Sequence, residues 1–193
     1  MKNSSVINFR EVMITVILAV LCGFIYFGWG PVWTVVNGLI PSGGEVVYGM
    51  WFIAAALVGY IVQKPGVALI AEMAAATAEA LMGGQWGLQT LMYGFVQGIG
   101  VEIIFALGGY RKFNYAVMFL SGAAAAAGSL IYQAIIGDLA ELTSGVLTAT
   151  IIVRLLSGGI LGGVLAKVIV DLLAKTGVLN SYKIVRNTLE KPF

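Results

Sequence analysis

Histidine is absent from this 193-residue sequence, cysteine occurs once, and charged side chains make up only 10% of the chain. Without histidine the chain lacks the commonest general base and the usual transition-metal ligand near neutral pH, which argues against acid–base or metal-assisted catalysis. Cys22 stands alone within an apolar stretch, so no internal disulfide can form. Soluble domains carry about 25% charged residues, so a surface this poor in charge is not built to face water. The formal net charge of +2 gives no basic surface for a nucleic-acid partner.

What is present is hydrophobicity, at 60% of residues and a mean hydropathy of +0.96. Crossing a bilayer takes about 20 mostly apolar residues in a helix. Six stretches qualify: 12–28, 46–62, 66–82, 87–108, 113–136 and 144–166. They are apolar all round rather than alternating, which points to helices and away from the short alternating strands of an outer-membrane barrel. Lys2 and Arg10 precede the first run as in a signal peptide, but Val12–Gly28 leads into Trp29-Gly30-Pro31 instead of a small-residue cleavage site. The expectation is an all-α polytopic membrane protein, a single domain over 1–193 made of a compact six-helix bundle.

The basic residues orient it. With six alternating passes, Lys2, Arg10, Lys64, Arg111, Lys112, Lys167, Lys175, Lys183, Arg186 and Lys191 all fall on one side. The opposite connections contain Glu45, Asp138 and Glu141 but no Lys or Arg. By the positive-inside rule both termini lie in the cytoplasm of a cell-membrane protein. One outer connection, 29–45, is long, apolar and aromatic; it reads as a lid over the outer helix ends or as a loop resting at the interface. Ser42 and Glu45 fit a capping box opening the second segment, which makes Glu45 structural. Ala-rich segment three, the Ser121–Ser129 stretch and Gly158, Gly159, Gly162 and Gly163 let helix backbones approach closely, as in a compact bundle rather than a wide pore.

Glu72, Glu79, Glu102 and Arg154 lie inside the spans. A central charge costs about 2.5–3.5 kcal/mol on insertion scales, so each calls for a partner or a watery cavity. Arg154 and Glu72 share a depth of roughly 15 Å from the outer helix ends; they pair with each other, or each faces a ligand. Glu79, roughly 5 Å down on the face of Glu72, is free to meet a ligand from outside. Glu102, near the cytoplasmic side, reads as structural and close to Arg111 or Lys112. Gln89, Tyr93 and Gln97 form a stripe on segment four. Trp86, Tyr132, Gln133, Tyr48, Trp51 and Trp33 gather at the same end. Single aromatics there are ordinary interfacial anchors. Their convergence with amides and an acid suits a flat, polar, heteroaromatic cation, held by carboxylate charge, ring faces and amide hydrogen bonds.

Glu72-Met-Ala-Ala-Ala-Thr-Ala-Glu79-Ala-Leu-Met-Gly-Gly-Gln-Trp86-Gly and Phe27-Gly-Trp-Gly-Pro-Val-Trp33, with the six-helix pattern, resemble the YkoE-type S components of energy-coupling-factor vitamin transporters along essentially the whole chain. The resemblance implies a substrate-binding subunit for thiamine or its hydroxymethylpyrimidine precursor, loaded from the extracellular side. It also implies as partners a transmembrane coupling subunit and two cytoplasmic ATPases. No G-x-x-x-x-G-K-[ST] loop occurs here, so ATP hydrolysis belongs to those partners. S components dock through an Ala-x-x-x-Ala face on the first helix; the matching pair here is Ala19 and Gly23, a spacing that ordinary helix packing also uses. The substrate-facing candidates are Glu79, Glu72, Gln97, Tyr93, Trp86, Gln89, Trp33, Trp51, Tyr48, Gln133 and Arg154, with no catalytic residue, metal or cofactor required. An intramembrane enzyme would cluster Asp or His, whereas Asp138 and Asp171 fall on opposite sides. An autonomous secondary transporter would show inverted repeats, and none is evident.

Overall fold

The computed structural model of the chain describes residues 7–40, 42–179 and 182. Seven α-helices occur among them: α1 Phe9–Leu39, α2 Ile53–Val62, α3 Val67–Leu81, α4 Gln89–Leu107, α5 Tyr115–Ile136, α6 Ser144–Ser157 and α7 Leu165–Lys175. A π-helical segment, Gly158–Val164, joins α6 to α7 as one continuous helical rod, so the described residues form six rods and contain no strand. Phe9–Leu39, Gln89–Leu107, Tyr115–Ile136 and Ser144–Lys175 are long and apolar enough to cross a membrane. Lys2, Lys183, Arg186 and Lys191, part of the orienting charge pattern, lie outside the described residues.

α1 departs most from expectation. Its N-terminus is closed by a reciprocal capping box between Asn8 and Glu11, and it then continues through Pro31 to Leu39. Thirty-one residues span about 46 Å, well beyond the hydrocarbon core, so the helix tilts or projects. Residues 29–39 are therefore helix rather than loop. The proline removes one backbone donor, and side-chain contacts hold the projecting turns: Thr34 Oγ1 donates to Gln85 Oε1 at 3.1 Å and Trp29 Nε1 to the Val47 carbonyl at 3.0 Å.

Ser42 and Glu45 form no capping box. Ser42 adopts a left-handed conformation (φ 60°) and makes no capping hydrogen bond. Two short 3-10 turns, Gly43–Val46 and Tyr48–Phe52, follow, so α2 starts only at Ile53, where segment two was expected from residue 46. All ten residues of α2 are buried, which makes it the central element of the bundle.

Ala19 and Gly23 face inward. Ala19 is 0% exposed, and a Cβ on Gly23 would come within 2.6 Å of Ala78 Cβ and 2.7 Å of the Ala75 carbonyl. Gly23 seats α1 closely on α3, and Ala19 is buried one turn before it. Similar close approaches bring Gly122 and Gly163 against the backbones of Gly158 and Met118, where any side chain would overlap.

Glu102 is structural, but through different partners. Its carboxylate accepts from the free backbone N–H groups of Gly66 (2.6 Å), Ala68 (3.1 Å) and Leu69 (3.4 Å) at the start of α3, and from the Tyr110 hydroxyl (2.6 Å). An anion suits the positive end of a helix, so Arg111 and Lys112 are not needed. The final pass runs to Lys175 rather than 166, which places Lys167 within α7, paired with Asp171 at 3.0 Å. At the same basic end Lys64 meets Glu11 at 2.7 Å.

Candidate functional site

Away from the basic end, a cavity of about 150 Å³ opens between α1, the 43–52 turns and the α3–α4 hairpin, with α5 and α6 closing its side. Local chain geometry sets its acid in place. The last turn of α3 ends in a Schellman arrangement, with Gly83 left-handed (φ 83°) and the Gly84 N–H donating to the Glu79 carbonyl at 3.1 Å. Gly84 also lets the Glu79 side chain lie against the turn, because a Cβ there would sit 2.9 Å from Glu79 Cγ. Glu79 is 1% exposed; its Oε1 accepts from Trp51 Nε1 at 3.2 Å, while Oε2 has no partner among the described residues.

Aromatic rings flank that carboxylate. Trp86 meets Trp33 edge-on at 5.5 Å and Trp51 edge-on at 5.0 Å, and Tyr48 leans on Trp51 at 5.6 Å. Gln89, Tyr93 and Gln97 of α4 add amides and a phenol to the lining, and Tyr132 supports Tyr93 edge-on at 4.9 Å from behind.

The two other buried charges take different roles. Arg154 does not pair with Glu72. Its Nε and Nη2 donate to the two carboxylate oxygens of Glu45, Nη1 donates to Gln133 Oε1 at 2.6 Å, and the guanidinium stacks 4.0 Å from the centre of the Tyr48 ring. The turn at residues 42–49 is fastened to α6 by this fork, by Ser42 with Thr150 (2.8 Å) and by Ser157 with the backbones of Val46 and Gly49. Glu72 caps α2 inside the bundle: it accepts from the Ala55 N–H at 2.9 Å and the Tyr26 hydroxyl at 3.1 Å, and Tyr26 accepts from the Ala54 N–H at 3.0 Å. A helix that begins in the protein interior has free N–H donors there, and a carboxylate with a phenol satisfies them.

Every substrate-facing candidate named from the sequence borders this one cavity. Five lining residues were not singled out for it: Tyr26, Glu45, Ala76, Thr90 and Asp138. Glu45 read as a helix cap and Asp138 as a loop charge. Thr90 had a usable signal, because it stands seven residues before Gln97 and shares its face of α4. Tyr26 gave none beyond the need of any buried phenol for a partner.

A helical membrane bundle with an acid, amides and a tryptophan cage at one end defines a small-molecule receptor of the transport kind. Residues 10–128 match the family model of the ABC-type cobalt transport system permease component. The chain is 32% identical over 183 residues to the putative HMP/thiamine permease protein YkoE of Bacillus subtilis (strain 168), covering 94% of this chain and 92% of that one. A crystal structure of an S component of an ECF transporter superposes with a TM-score of 0.91 at 31% identity, covering 96% of this chain and 94% of that one. The chain belongs to the S components of energy-coupling-factor transporters, of the YkoE type.

Proposed function

We propose that this subunit binds hydroxymethylpyrimidine or thiamine from the extracellular side and delivers it across the cell membrane in complex with a transmembrane coupling subunit and two cytoplasmic ATPases. Both termini then lie in the cytoplasm, as the basic residues of one end favour. The observation that carries the reading is the free oxygen of Glu79 beneath Trp33, Trp51 and Trp86. A buried carboxylate oxygen without a donor is costly; an amino group supplies the donor, and a cationic ring supplies the opposite charge and a face for the tryptophans. A cavity of about 150 Å³ is of the class that takes up one benzene-sized ring. The volume thus matches the pyrimidine ring, and the second ring of thiamine would extend into the cavity's open mouth.

Tryptophan fluorescence tests this directly, since three of the four tryptophans line the cavity. Titrating the purified subunit with hydroxymethylpyrimidine and thiamine should give saturable quenching at micromolar ligand. A folded sample with no saturable response to either compound would overturn the proposal.

The interrupted second and sixth passes favour one other reading, an autonomous secondary transporter, because such carriers bind at broken helices. Uptake by this subunit in cells that lack the ATPases would support it.

A further inference from the structure

A membrane-helix threonine ordinarily ties its hydroxyl to the carbonyl four residues earlier, as Thr15 does with Glu11 (2.7 Å) and Thr77 with Met73 (2.7 Å). Buried Thr150 instead meets Ser42 at 2.8 Å. Thr90 is only 7% exposed, lines the cavity, and its Oγ1 has no partner among the described residues. The reason is local. Thr90 is the second residue of α4, and Trp86, four positions back, lies in the preceding turn with its carbonyl taken by the Gln89 N–H at 3.2 Å.

The α3–α4 hairpin brings this hydroxyl to the depth of Glu79 in the same cavity. A Cβ on Gly94 would meet Ala76 Cβ at 2.6 Å, and one on Gly98 would fall between Leu69 (Cα 3.1 Å) and Glu72 (Cβ 3.2 Å). The helices are antiparallel, so moving back four residues from Gly94 on α4 moves about four forward on α3, which puts Thr90 level with the last turn of α3 near Ala80. That is one residue, about 1.5 Å of rise, from Glu79. The cavity thus carries two unsatisfied polar atoms at one depth: a carboxylate oxygen that only accepts and a hydroxyl that is able to donate.

We propose that Thr90 is a specificity-determining ligand contact that works with Glu79 to read one edge of the bound ring. The carboxylate accepts from a ring-bound amino group, and the Thr90 hydroxyl donates to the adjacent ring nitrogen. This deepens the vitamin-binding reading and rests on it. A ring with an oxo group in place of the amino group sets a carbonyl against the Glu79 carboxylate, which only accepts and is left mispaired, while the Thr90 hydroxyl must turn from donating to accepting.

The test uses the full-length subunit in detergent, with the amino-pyrimidine and its oxo counterpart as probes and thermal melting of the ligand-free protein as a second readout. Thr90→Val removes the hydroxyl at constant shape. It should weaken amino-pyrimidine binding about fivefold to tenfold, and Thr90→Ser should restore affinity to within about twofold. Melting of the empty Thr90→Val subunit should stay level or rise, because an unpaired buried hydroxyl is replaced by a methyl. A residue that merely holds the fold would give the reverse: lower melting in the empty state. The inference is overturned by unchanged affinity in Thr90→Val, by lowered melting of the empty variant, or by equal wild-type affinity for the two probes. Wild-type protein that binds neither probe overturns the vitamin reading itself, and this inference with it.

Discussion

Replacing Glu79 by Gln separates charge from hydrogen bonding, because Trp51 Nε1 fixes which atom faces it. The indole N–H donates to Oε1 at 3.2 Å, so the Gln carbonyl takes that place and its NH₂ group faces the cavity. Any ligand then loses an acceptor, worth about 1–1.5 kcal/mol or a factor of about 5–12. A cationic ligand loses the Coulomb attraction as well. For a charge centre about 6 Å away and an effective dielectric of about 20, that adds about 2.8 kcal/mol, close to a further factor of 100. Burial of Glu79 to 1% exposure keeps salt from screening the interaction. Glu45, Arg154 and Asp138 are the same in both proteins and cancel in the ratio. The assay is a pair of fluorescence or calorimetric titrations on wild type and Glu79→Gln, with thiamine and with neutral hydroxymethylpyrimidine. Thiamine should lose more by about two orders of magnitude; equal losses would refute a role for the carboxylate's charge.

Other perturbations test the scaffold. Glu45→Ala strands a guanidinium that is 2% exposed, which should destabilise the subunit by about 3–5 kcal/mol in denaturation experiments; the Glu45→Leu/Arg154→Met double variant should recover much of that loss. Glu102→Gln weakens the anionic cap on α3 and should cost about 1–2 kcal/mol, seen as a lower melting temperature with ligand affinity unchanged. Gly23→Leu should abolish folding of the isolated subunit, since its side chain overlaps Ala75 and Ala78. A well-folded, ligand-binding variant that fails only in transport would instead put Gly23 at the coupling interface.

Much of the architecture was readable from hydrophobic runs alone. The six apolar stretches correspond to the six helical rods, and the substrate-facing side chains picked for polarity and aromatic character at one end do border one cavity. Legibility failed where a pattern had two physical explanations. The apolar, aromatic composition of 29–45 serves a loop at an interface or a helix that outruns the bilayer; contacts with Gln85 and Val47 made residues 29–39 a helix. A Ser-x-x-Glu spacing serves a helix cap, yet Glu45 had a stronger partner in a guanidinium 109 positions away.

Composition and charge by themselves determined that this chain is a helical bundle suited to a membrane, basic at one end and aromatic at the other, because hydrophobic length and side-chain type are properties of each segment alone. Tertiary structure decided which acid caps a helix, which holds the arginine and which keeps an open oxygen, and it turned Ala19 and Gly23 inward. Those outcomes depend on how each helix is rotated about its axis and how far it slides past its neighbours. Small residues permit close approach at any of several rotations, and only the packed bundle selects one.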